Sequence, residues 1–238
     1  MKQKLPLVLL VFGVIVLMVG FFLVRNKNNT KVVQEEVVLK EVALGDRPIA
    51  SLTPSKDGHW LKLKVNKIVI DALTLDYELL YKLPDGRTQG VPGSVKLNGQ
   101  SLIERELLLG SESSGKFRYD EGVEGGTLSL RFRDAKGKLI AKLSTEFALL
   151  SDNKLSSVDG LFKYNVSKTT SDFFVVMQTF GLEELPASQV VFGPYGVFSA
   201  TGDAKGSPSG FSNILFWNGT SWTAPTNSTP EGIFVGTN

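Results

Sequence analysis

The chain has 238 residues, with 26 Lys plus Arg against 24 Asp plus Glu, a single histidine and no cysteine. Charge is nearly balanced and no long block of one sign occurs, which excludes the concentrated basic footprint of a nucleic-acid binder. The missing cysteines exclude disulfides, zinc thiolate sites, iron–sulfur clusters and cysteine nucleophiles together, and no cofactor is expected.

Residues 1–4 are a short basic leader. Leu5 to Val24, LPLVLLVFGVIVLMVGFFLV, then runs for twenty residues without a charge between Lys4 and Arg25. At roughly 1.5 Å per residue it covers about 30 Å, the hydrocarbon thickness of a bilayer, and it reads as a transmembrane helix. A cleaved signal peptide has an apolar region of about 7–15 residues and an A-x-A-like step. This run is longer and ends FFLVRNKNN, so it is expected to stay as an anchor. Basic residues flank it almost equally, but long domains that follow an anchor cross the membrane largely regardless of charge. The expectation is a single-pass cell-membrane protein, partnered with the lipid bilayer through residues 5–24 and carrying its C-terminal body outside the cytoplasm. Residues 25–45 form a juxtamembrane linker.

From residue 46 to 150 the pattern has period two. Leu61-Lys62-Leu63-Lys64-Val65 and Leu75-Asp76-Tyr77-Glu78-Leu79-Leu80-Tyr81 are apolar on one face and mostly charged on the other, as half-buried strands are. Leu128, Leu130 and Phe132 lead through the turn Asp134–Lys138 into Leu139–Phe147, a hairpin. Turn signals at Asp57-Gly58, Pro84-Asp85-Gly86, Asn98-Gly99, Gly110–Gly115 and Glu121–Gly126 divide the region into about seven strands. The fold class is mainly β: an antiparallel β-sandwich with an architectural likeness to immunoglobulin or fibronectin-type domains. That likeness brings no activity, and the Cys and Trp hallmarks are absent.

Residues 151–238 carry only eleven charged side chains but thirteen of the 23 aromatics, which marks a second, smaller β-rich domain. Phe173–Phe180 suits a strand buried on both faces, Gln189–Ser199 a strand interrupted at Gly193-Pro194, and TGDAKGSPSG at 201–210 a flexible loop. NILFW-NG-TSWTA reads as a hairpin about Asn218-Gly219.

Several strings imitate catalytic motifs. Gly110–Lys116 has the skeleton of a P-loop, yet Phe117 stands where Ser or Thr is required and no helix follows, so it reads as a polar turn. Ser113–Lys116, Ser151–Asn153 and Lys168–Thr170 fall in the order of the penicillin-binding signatures, but the spacings are short and Thr170 replaces a required glycine. His59 is the only imidazole and is expected to be exposed and inert. Asp120, Glu121 and Glu124 gather in RYDEGVEGG, where a hard cation could find oxygen ligands, though the spacing is not that of an EF-hand.

In the aromatic hairpin a two-residue turn would set Trp217 opposite Thr220 and Leu215 opposite Trp222, with both tryptophans on one face and Phe216 and Ile214 on the other. Aromatics at strand spacing usually pack inward, so the tryptophan face is read as core; if it is outside, Trp217 and Trp222, with Tyr195, form a ligand-binding platform. The leading expectation is a non-enzymatic, membrane-anchored extracytoplasmic protein for protein interaction or surface assembly. The alternative is a binder of carbohydrate or cell-wall polysaccharide through the aromatic hairpin. A carboxylate-based hydrolase is the third reading.

Overall fold

The computed structural model describes residue 39, residues 41–168 and residues 172–238, and over these the chain is mainly β, in antiparallel sheets. The anchor at 5–24, its leader and most of the linker lie outside the described residues. After a 3-10 turn at Leu44–Asp46, the strands of the first half are β1 (Ile49–Pro54), β2 (Trp60–Asn66), β3 (Thr74–Lys82), β4 (Thr88–Lys96), β5 (Ile103–Leu108), β6 (Gly110–Ser113), β7 (Lys116–Tyr119), β8 (Gly125–Arg133) and β9 (Leu139–Leu150). The second half adds β10 (Lys154–Ser156), β11 (Lys163–Val166), β12 (Phe174–Gln178), β13 (Val190–Ser199), β14 (Lys205–Ser209), β15 (Ile214–Trp217), β16 (Trp222–Thr223), β17 (Thr229–Pro230) and β18 (Ile233–Thr237).

One nine-stranded sheet runs through both halves in the order β16-β15-β18-β13-β12-β9-β8-β3-β4. A three-stranded sheet, β1-β2-β5, covers one of its faces over the β4 to β12 end, and a four-stranded sheet, β10-β11-β14-β17, covers the other face over the β12 to β15 end. β12 lies under both. Val175 and Met177 point into the core of the first half, whereas Phe174 and Val176 point into that of the second, and all four are at most 1% exposed. The apolar run Phe174–Met177 therefore has no polar alternate because a strand between two layers has no solvent face.

The large sheet is different where only one layer covers it. Leu75, Leu79, Leu128, Leu130 and Phe132 face the first core and are fully buried, while their alternates are polar except for Leu80. On that open face Arg131 donates to Glu78 at 2.7 Å and Arg133 to Asp76 at 2.6 Å, Ser94 donates to Asp76 at 2.7 Å, and Ser129 and Ser144 share a bond of 3.0 Å. The second small sheet thus ends partway across the face, leaving a step.

Each small sheet begins with a hairpin closed by the same turn. In Ser55-Lys-Asp-Gly-His-Trp60 the Ser55 hydroxyl donates to Asp57 Oδ1, which also accepts from His59 N, and Trp60 N donates to Ser55 Oγ. Ser157-Val-Asp-Gly-Leu-Phe162 repeats each bond, with Ser157, Asp159, Leu161 and Phe162 in those roles. Gly58 and Gly160 take φ of +74° and +71° at the same place, a left-handed backbone that favours glycine.

Two sequence expectations change. The first half has nine strands, the addition being the hairpin β6–β7, whose residues are almost all exposed and so carry no alternation. The stretch 201–210 is not loop throughout, because Lys205–Ser209 forms β14 against β11. Gly206 is required there by packing: a Cβ would stand 2.6 Å from the Tyr164 ring.

Candidate functional site

A cleft opens at the foot of the step, between the open face of the large sheet and the Ser157–Leu161 turn. It consists of two adjoining hollows of about 290 Å³ and 440 Å³ that share Thr127, Glu146 and Val158. The first is polar, with Ser144, Gln178, Asp159 and Tyr195 beside the shared residues. The second is more apolar, with Leu80 and Phe147 beside Lys82 and Glu124. Its floor is set by register: Leu80 pairs with Thr127 on β8, and Thr127 with Glu146 on β9, so these three side chains form one row across the sheet.

Tyr195 and Asp159 join the floor to the wall. The Tyr195 hydroxyl donates to Asp159 Oδ2 at 2.7 Å, and its ring stacks on Phe162 with centroids 5.2 Å apart. Partial burial pushes the Asp159 carboxyl up, but hydrogen bonds from Ser157, Tyr195, Leu161 N and Gln178 outweigh it and hold the pKa below the ordinary carboxylate value. Burial first, and then the Asp159 carboxylate, push the Tyr195 phenol well above its usual range. Near neutral pH the pair is thus an ionised acceptor and a protonated donor, each satisfied by the other. A carboxylate held this way is a weak base, and the arrangement suits recognition and rigidity better than proton transfer.

The residues singled out from sequence are dispersed. Tyr195 is 1% exposed and belongs to the second core, on the opposite face of the large sheet from the tryptophans, so it does not extend their platform. Trp217 pairs directly with Trp222, not with Thr220, because Asn218 holds a four-residue turn: its Oδ1 accepts from Thr220 N and Ser221 N at 2.9 and 2.8 Å. The tryptophans still share a face, but Phe216 is the one that packs into the core. They are half-buried, with ring centroids 5.3 Å apart and the Trp222 indole N–H bonded to Glu184 O at 2.9 Å.

Asp120, Glu121 and Glu124 have separate tasks. Asp120 Oδ2 accepts from the Tyr81 hydroxyl at 2.8 Å, Glu121 stands 3.9 Å from His59 Nε2, and Glu124 lines the apolar hollow. Among the described residues no group of three or more His, Asp or Glu side chains is arranged to hold a metal ion. His59 is not exposed as expected but half-buried, stacked on Tyr119 with centroids 4.3 Å apart, because the β6–β7 hairpin folds its aromatics over the Ser55–Trp60 turn. Gly110–Lys116 is a strand, a Ser114-Gly115 turn and the start of a strand, with no helix to hold a phosphate. Ser113 accordingly lies in β6, and Thr169 and Thr170 fall outside the described residues.

Asp159, Glu146, Gln178, Ser144 and Thr127 escaped the sequence reading. The only local signal was the second Ser-x-Asp-Gly turn, which marks Asp159 as a carboxylate with fixed geometry. Comparison with protein-family models, curated proteins and solved structures finds no match to the chain.

Proposed function

We propose that the protein is a single-pass, membrane-anchored protein whose extracytoplasmic β body is a non-enzymatic interaction module that takes its partner at the step cleft. The observation that carries this reading is the Tyr195–Asp159 pair: an open cleft whose most constrained carboxylate is already saturated with donors supports binding, not turnover. The anchor rests on the uncharged run Leu5–Val24. In the same reading residues 46–150 are an immunoglobulin-like sandwich and residues 151–238 a second, smaller β-rich domain; the two cores under the two small sheets support it, with β12 of the second stretch contributing Val175 and Met177 to the first core. The test is fractionation with topology. The full chain should stay with membranes after alkaline carbonate washing, and a protease added to intact cells or spheroplasts should digest its body. Release by carbonate, or protection until lysis, would contradict the reading.

A second reading is favoured by the tryptophan pair. Trp217 and Trp222 lie half-exposed on the outer side of their hairpin, as a platform for a sugar ring does. Retention on a cell-wall polysaccharide column that Trp217→Ala abolishes without loss of fold would select it, and passage straight through would exclude it.

A further inference from the structure

We infer that the step cleft receives a lysine or arginine side chain from an extended peptide segment, with an apolar neighbour of that residue lying between Leu80 and Val158. This rests on the reading of the cleft as an interaction site, and adds the chemistry of what enters it. Among the described residues the polar hollow is lined by two carboxylates, Glu146 and Asp159, and by no cation. The apolar hollow contributes Glu124 against Lys82. Three cations stand near Glu146 on the open face, and none forms an ion pair with it among the described residues. Lys82 lines the adjoining apolar hollow, Arg131 is paired with Glu78 at 2.7 Å, and Lys142 lies four residues from Glu146 along β9, about 13 Å at roughly 3.3 Å per residue.

The acceptors suit a cationic head. Glu146 is exposed and forms no ion pair among the described residues, and the hydroxyls of Thr127 and Ser144 and the amide of Gln178 surround it. Asp159 is kept ionised by its donors, so its negative charge persists although its lone pairs are largely used. The stem of a lysine or arginine then lies along apolar surface while its head meets carboxylate. Leu80 and Val158, 38% and 52% exposed, supply that surface and the seat of the apolar neighbour. At about 290 Å³ the polar hollow is at the small end of ligand sites, suited to one side chain. A sugar fits less well here, since Tyr195 is 1% exposed with its ring stacked on Phe162 and offers no free face.

The experiment is an NMR titration of the full chain in detergent micelles. The probes are the peptide acetyl-Gly-Leu-Lys-Leu-Gly-amide, its Glu-for-Lys counterpart and an N-acetylglucosamine tetramer. The lysine peptide should shift the amides of Thr127, Ser144 and Gln178 in a saturable way, and the glutamate peptide should leave them in place. Glu146→Gln should weaken the lysine peptide about tenfold, and Glu104→Gln, on the first small sheet, should leave it unchanged. Glu146 is exposed, so the variant should keep the wild-type spectrum elsewhere. Equal response to both peptides, no response to either, indifference to Glu146→Gln, or a response to the sugar alone would overturn the inference. A partner found at the cleft without a requirement for a basic residue would also overturn it, while leaving the interaction reading in place.

Discussion

The hydroxyl of Tyr195 donates to Asp159 Oδ2 at 2.7 Å, and this bond ties β13 of the large sheet to the turn that opens the second small sheet. It crosses the junction between two layers, so its loss should be felt by both. Tyr195→Phe keeps the ring stacked on Phe162 and removes only the donor. We predict a loss of about 1 kcal/mol, which for a body of this size is a fall of roughly 2–4 °C in Tm. Thermal unfolding followed by circular dichroism checks it, and an unchanged Tm would show that the bond contributes nothing net.

Asp159 should also give the fold an acid-sensitive component. Its folded pKa is depressed below the unfolded value, so its contribution is present above the unfolded pKa of about 3.9 and is lost as pH falls through the folded pKa. Asp159→Asn should therefore lower Tm at pH 7 and flatten the decline of Tm below about pH 4. Equal acid slopes in variant and wild type would count against the linkage.

Glu231 has the opposite sign. Burial, the largest influence, raises its pKa against hydrogen bonds from Ser199, and its Oε2 has no hydrogen-bond partner among the described residues. A folded pKa above the unfolded one means that stability is greatest below the unfolded value, about 4.3, and falls as pH rises through the folded value. Glu231→Gln should raise Tm at pH 7 by a few degrees, from relief of about 1 kcal/mol, and leave it little changed at pH 4. A lower Tm at pH 7 would contradict this.

Two neighbouring valines test the two-layer position of β12. Val175 and Val176 point to opposite cores, and both are 0% exposed. Val175→Ala and Val176→Ala should each cost about 2 kcal/mol, although adjacent residues in an ordinary surface strand would differ sharply. Denaturant titration checks both. One neutral valine would mean that one face of β12 is open.

Much of this fold was legible because solvent imposes a period of two wherever one face is wet. Leu61, Leu63 and Val65 in β2, and Leu128, Leu130 and Phe132 in β8, are buried as their alternation requires. The unbroken run Phe174–Met177 also carried its meaning. The tryptophan register did not, since it depends on whether the Asn218 side chain caps two residues or four, a choice made by hydrogen bonds and not by composition. The cleft was the least legible part. Positions 127, 144, 146, 178 and 195 are set side by side by the pairing of β8, β9, β12 and β13, and position 159 joins them only because one small sheet stacks partway across the large one.

Because the chain has no cysteine, one introduced thiol can report on the cleft directly. Val158→Cys places it on the lip, where the native side chain is 52% exposed, and Leu102→Cys, 45% exposed in the wild type, gives a reference outside the cleft. Intact cells would be labelled with a membrane-impermeant maleimide and compared with the purified full chain in detergent. Both thiols should react in intact cells, and Val158→Cys should react several-fold more slowly there than in the purified chain while Leu102→Cys does not. Reaction only after lysis, or equal rates for Val158→Cys in both settings, would contradict an extracytoplasmic body that holds its partner at this cleft.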